Sequence, residues 1–195
     1  MKGRLKDEQV IALSGCKGSG KDYCADLLRE EGYVILSFSD HLKVIAASLF
    51  PACRIDVAPE DKEDVVYKSS YGGVLKSWSH RDIWCALNVL VEINPTILTE
   101  PVYEQAVHVI GAGRKVCVKD LRPHNHHEYE TVRKLAGHIV YVENMQDPIS
   151  SRGRHETEDA DGYERIKANA HYVFENYKNG PQGFNEFMEK YNACK

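Results

Sequence analysis

The chain has 195 residues, 43% of them apolar and 28% charged, with a formal net charge of −4. That suits a single globular domain over residues 1–195 with a core of its own, and it excludes a disordered or fibrous chain. The lack of a basic excess argues against a nucleic-acid polymer or an anionic membrane as the main partner. No apolar run approaches the roughly 20 residues of a membrane span, and the first run, Val10 to Leu13, is too short for a signal peptide. A cytoplasmic protein is expected, its six scattered cysteines reduced, since none forms a Cys-x-x-Cys pair.

In chain order, the first strand is expected over Val10, Ile11, Ala12 and Leu13. A glycine-rich stretch follows, and then an amphipathic helix with Cys24, Leu27 and Leu28 at helical spacing, closed by Gly32. Residues 33–36 read as a short strand. Asp40 is placed to cap a helix through Leu42, Ile45, Ala46 and Leu49, which Pro51 stops. Residues 51–80 are the least regular and read as a partly helical insertion. Residues 81–91 look helical up to the Asn94-Pro95 break, and 99–110 form another helix with Pro101 in its first turn.

Val116, Cys117 and Val118 mark a buried strand that ends at Asp120. Asn125 with Glu128 three residues on resembles a capping box, which opens a helix to Gly137. Residues 139–142 form a strand, 146–162 are polar and irregular, 170–174 form a last strand and 184–191 a last helix. Strands thus alternate with helices, which predicts an α/β fold with a central parallel sheet covered on both faces. Ligands in such folds sit beyond the carboxyl ends of the strands.

Gly15-Cys16-Lys17-Gly18-Ser19-Gly20-Lys21 matches Gly-x-x-x-x-Gly-Lys, between a strand and a helix as that motif requires. Glycines let successive backbone N–H groups turn toward phosphate oxygens, the helix N-terminus adds positive potential, and Lys21 supplies a mobile cation. A nucleotide phosphate site is expected over these seven residues together with Asp22 and Tyr23, with ATP and magnesium as cofactors. Asp22 stands where Ser or Thr usually binds magnesium. A carboxylate there can hold the metal directly or through water, face the acceptor, or act only as a helix N-terminal acid.

The segment from Leu13 to Asp22 resembles the phosphate loop of bacteriophage deoxynucleoside monophosphate kinases, which carry Asp after the loop lysine and often a second lysine at the place of Lys17. Ser37-Phe38-Ser39-Asp40-His41-Leu42-Lys43 resembles that family's segment after the second strand. Asp120-Leu121-Arg122, with Asn125 and Glu128, resembles its Asp-x-Arg strand end. His155-Glu156-Thr157-Glu158 resembles its lid motif, and residues 166–174 its final strand. The chain departs from the pattern at Tyr23, where a hydroxyl residue is usual, and at Pro123, where an aromatic is usual. The resemblance implies a P-loop NTPase three-layer fold with an acceptor-binding helical insertion over about 51–110 and a lid over about 146–165. It also implies phosphorylation of a deoxynucleoside monophosphate in deoxynucleotide biosynthesis, in the host cytoplasm if the chain is phage-encoded, and a homodimer.

Phosphoryl transfer needs positioning and charge neutralisation more than a base. Arginines suit both tasks, because their planar fork binds phosphate in a bidentate way. Arg122, Arg152 and Arg154 are expected on the transferring group with Lys21 and Asp22. Arg81, Asp40, Lys43, Trp84, Arg122, His155 and Glu158 are expected on the acceptor. Asp120, at a strand end, suits magnesium waters, alongside Asp22. Tyr67, Tyr71, Trp78 and Trp84 can stack on a base or pack in the core. His124, His126 and His127 lack a fourth ligand, so a helix N-terminus is expected there rather than zinc. Two other readings stay open: a kinase of another phosphorylated acceptor, of phosphomevalonate or dephospho-coenzyme A type, and a non-catalytic nucleotide-binding regulator. A GTP switch is disfavoured because no Asn-Lys-x-Asp motif occurs. The accepted base stays open.

Overall fold

The structure, a computed structural model, describes residues 8–58, 60–123, 125–146, 160–178 and 180–190. The chain forms two compact units, Met1–Phe38 with Val102–Lys195, and Ser39–Pro101.

The first unit is built on a five-stranded parallel sheet of β1 (Val10–Ser14), β2 (Tyr33–Ser37), β5 (Lys115–Leu121), β6 (His138–Asn144) and β7 (Tyr172–Asn176), in the order β2-β5-β1-β6-β7. Alternation along β1 divides the core. Ile11 and Leu13 pack with Cys24 and Leu28 of α1 (Lys21–Glu30) and with Phe184 and Phe187 of α8 (Pro181–Lys190). Val10 and Ala12 face the other way, toward Val102 and Ala106 of α5 (Thr99–Gly111), Val132 of α6 (His126–Lys134), and Tyr163 and Ile166 of α7 (Ala160–Asn169). The strands are buried on both faces, which is why they read as short continuous apolar runs. The expected α/β plan with a central parallel sheet is therefore what the chain forms. The chain passes from one side of β1 to the other between β5 and β6, so the carboxyl end of β1 lies where the strand order reverses, the usual place for a ligand.

The second unit holds most of α2 (Phe38–Leu49), then α3 (His80–Leu87) and α4 (Val89–Ile93), around a small core of Ala46, Cys53 and Ile83. Residues 51–80 differ from expectation. They contain one short 3-10 helix, Glu60–Glu63, and an antiparallel hairpin, β3 (Val65–Tyr71) with β4 (Val74–Ser79). The cause is local. Gly72 and Gly73 both adopt positive φ, 59° and 79°, between the paired Tyr71 and Val74, which is the two-residue turn that matches strand twist.

Three helix boundaries also move. α2 starts at Phe38, so Asp40 lies inside its first turn rather than capping it. The helix expected over 81–91 is capped earlier, by Ser79 and Asp82 in a capping box, and breaks at Asn88. α7 occupies residues expected to be irregular or part of the final strand. No helix among the described residues is long and apolar enough to cross a membrane.

Candidate functional site

The loop after β1 has the geometry that its glycines predict. Gly15, Gly18 and Gly20 have φ of 150°, 74° and 97°, and Gly20 is the N-cap of α1. A side chain at Gly15 would meet the carbonyl oxygen of Val142 at 2.5 Å, and one at Gly20 would meet Nδ2 of Asn176 at 2.2 Å. The loop is thus pressed against the ends of β6 and β7. Within it, the N–H of Ser19 donates to the carbonyl of Cys16 at 3.1 Å, closing a tight turn. The Cys16 thiol lies 3.6 Å from the Tyr141 hydroxyl, and burial together with that thiol pushes the phenol's pKa up, so Tyr141 stays protonated. Lys17 and Gly18 are exposed. Beyond the loop, the first turn of α1 presents N–H groups that have no intrahelical partner, next to Lys21.

Asp120 and Arg122 stand at the end of the neighbouring strand. Between β1 and β5 the register shifts: Ala12 pairs with Val118 but Ser14 with Leu121, so β5 carries one extra residue. That bulge re-aims the strand end. Asp120 sits in it at φ 67°, a conformation that Asp tolerates better than most residues. Ser14 ties the bulge down by donating from Oγ to the Leu121 carbonyl at 2.9 Å. The Asp120 carboxylate accepts from Ser37 Oγ, at the end of β2, at 3.0 Å. Burial alone would raise its pKa, but the charges of Lys21, Arg122 and Lys119 and the Ser37 hydroxyl hold it below the ordinary 3.8, so the group is ionised. Asp22 is exposed and lies 3.6 Å from Lys119 Nζ.

The second half of that strand end corrects the expected capping box. Asn125 caps α6 by accepting from the N–H of His127 at 3.1 Å. Glu128 instead turns inward and accepts from the N–H of Arg122 at 2.8 Å. At 3% exposed, it is driven by burial to a pKa of about 8, against the opposing charge and N–H of Arg122. His126 and His127 are exposed at this helix start, and no group of three metal-ligating side chains occurs among the described residues.

In the second unit, Asp40, Lys43 and Trp84 come together. Lys43 donates to Asp40 at 2.7 Å and its ammonium lies 5.8 Å from the centre of the Trp84 ring. Arg81 is paired with Glu63. Trp78 donates from Nε1 to Ser69 across the hairpin, and Tyr67 packs edge-on against Phe50, so these two aromatics serve the unit's own packing. His124, Arg152, Arg154, His155 and Glu158 lie outside the described residues.

Sequence reasoning missed Ser37, Lys119, Asn144 and Asn176. Ser37 and Lys119 are register partners at the ends of β2 and β5, and both touch an expected site carboxylate. Strand-end position was the available signal for both. The asparagines could be found only once β6 and β7 were known to flank the loop.

No family model and no curated protein matches the sequence. Solved structures that align along most of the chain include TT1252 from Thermus thermophilus, 21% identical over 91% of this chain and 92% of that one with a TM-score of 0.43. Another is shikimate kinase from Bacteroides thetaiotaomicron, 12% identical over 92% and 93% with a TM-score of 0.41. Neither similarity is close enough to assign an activity.

Proposed function

We propose that the protein is an ATP-dependent kinase of a small phosphorylated acceptor, and that the acceptor is a deoxynucleoside monophosphate. The observation that carries this reading is the placement of a glycine loop and Lys21 at the end of β1, beside an ionised Asp120 at the end of β5. A phosphate cradle next to a strand-end carboxylate is what transfer of a phosphoryl group from a magnesium nucleotide requires. The order of motifs along the chain supports the narrower choice of acceptor.

In this mechanism the loop N–H groups and the start of α1 bind the donor phosphates, and Lys21 follows the transferring group. Magnesium takes few protein ligands and keeps several waters. Asp120, ionised, and Asp22, at the start of α1, are the carboxylates that would hold it through those waters. When bound, the metal offsets charge on the phosphates. Arg122 adds a guanidinium whose backbone is fixed by Glu128. No general base is needed, because a phosphate monoester with a second pKa of about 6 already presents an ionised oxygen. Asp40, Lys43 and Trp84, one cation with an aromatic face and a carboxylate, suit the sugar, phosphate and base of a nucleotide.

An ADP-release assay with ATP, magnesium and a panel of acceptors tests this. Turnover with deoxynucleoside monophosphates and none with phosphomevalonate or dephospho-coenzyme A is expected. Preference for either of the latter would replace the acceptor, and ATP binding without any turnover would favour a regulator.

A further inference from the structure

Two buried asparagines end adjacent strands beside the phosphate loop. Asn144 closes β6, Asn176 closes β7, and the two are register partners across the parallel pair. Each uses its side-chain oxygen in the same way. Oδ1 of Asn144 accepts from the N–H of Gln146 at 3.0 Å, and Oδ1 of Asn176 from that of Lys178 at 2.9 Å. With the oxygen committed to a backbone donor, the amide nitrogen must face the loop. Nδ2 of Asn144 donates to the carbonyl of Gly18 at 3.2 Å, and Nδ2 of Asn176 to the carbonyl of Ser19 at 2.8 Å. Two consecutive peptide groups of the loop are thus gripped from two neighbouring strands.

A trans peptide points its C=O and the following N–H in opposite directions. Holding the Gly18 carbonyl turns the N–H of Ser19 toward Cys16, where it closes the inner turn. Holding the Ser19 carbonyl turns the N–H of Gly20 away from Asn176, one residue before the N–H groups that open α1. The close approach of Asn176 leaves Gly20 no room for a side chain.

We infer that Asn176, steadied by Asn144, is a positioning residue that aims the N–H of Gly20 at the bound nucleotide phosphate. The inference rests on the reading of the loop as a nucleotide phosphate site.

Asn176→Asp keeps the shape and the oxygen for Lys178 but puts an acceptor against the Ser19 carbonyl. Asn176→Ser keeps an oxygen near Lys178 but is too short to reach the loop. Each variant is expected to raise the KM for ATP by about tenfold or more while the acceptor KM stays within about twofold. Amide exchange at Ser19, whose N–H is held by the Cys16 carbonyl, and at Cys24, whose N–H is held by the Gly20 carbonyl, should also speed up in the nucleotide-free protein. An unchanged ATP KM and unchanged loop exchange, with only a lower Tm, would overturn the inference. In the wild-type protein the side-chain amide protons of Asn176 should exchange slowly by NMR. Exchange at the rate of free asparagine would overturn it even where neither variant folds. Failure of the wild-type protein to bind ATP would sink the phosphate-site reading instead, and the Asn176 protons report on the grip without any nucleotide.

Discussion

Glu128 is buried with one carboxylate oxygen on the N–H of Arg122, and burial lifts its pKa from the ordinary 4.5 to about 8. In the unfolded chain the same group loses its proton near the ordinary value. Between the two, the native state holds a proton that the unfolded state has released, so stability is full below about pH 4.5 and falls as pH rises toward about 8. At about 1.4 kcal/mol per pH unit, that interval corresponds to an upper limit of roughly 5 kcal/mol. Glu128→Gln keeps an oxygen for the Arg122 N–H but cannot ionise. Urea unfolding of both proteins from mildly acidic to mildly alkaline pH reads the difference. The two should be nearly equal at the acid end, and the variant should gain steadily, reaching a few kcal/mol above pH 8. Parallel pH profiles, or a variant less stable than wild type at alkaline pH, would show that burial does not keep Glu128 protonated in the folded chain.

Lys21→Ala should lower turnover by about 100- to 1000-fold with little change in unfolding midpoint, because its charge acts on the transferring group; near-normal turnover would remove the loop from the chemistry. Arg122→Lys should cost about tenfold or more in kcat/KM, since an ammonium lacks the bidentate fork; equal kinetics would place Arg122 outside the site. Asp120 has a lowered pKa, so it contributes stability above the ordinary 3.8 that is lost as pH falls through its native value. Ser37→Ala removes a hydrogen bond to the charged form, so it should cost about 1 kcal/mol at neutral pH and less in strong acid, measured by urea unfolding; an equal cost at both would contradict that account of Asp120.

The strand, loop and helix around Gly15 to Lys21 were legible because an apolar run, closely spaced glycines and a helical stripe follow one another without a break. The hairpin was not, although Gly72-Gly73 is a strong turn signal, because charged and small residues around it blur the period of two. α7 was hidden for a related reason: it buries mainly Tyr163 and Ile166, too little to show a helical stripe. Glu128 illustrates a different limit. Its spacing from Asn125 is that of a capping box, but the carboxylate is captured by Arg122, a partner that only the bulged end of β5 supplies. Asn144 and Asn176 lie 32 positions apart, and their shared role depends on sheet register that sequence spacing does not carry.

Transfer of the γ-phosphate to a deoxynucleoside monophosphate is the activity proposed for this protein. Incubating the protein with γ-labelled ATP, magnesium and each deoxynucleoside monophosphate, and separating the products, measures it directly. Label is expected in the deoxynucleoside diphosphate of at least one base, and is lost in Lys21→Ala. Label that stays in ATP or appears only as free phosphate with every acceptor would contradict it.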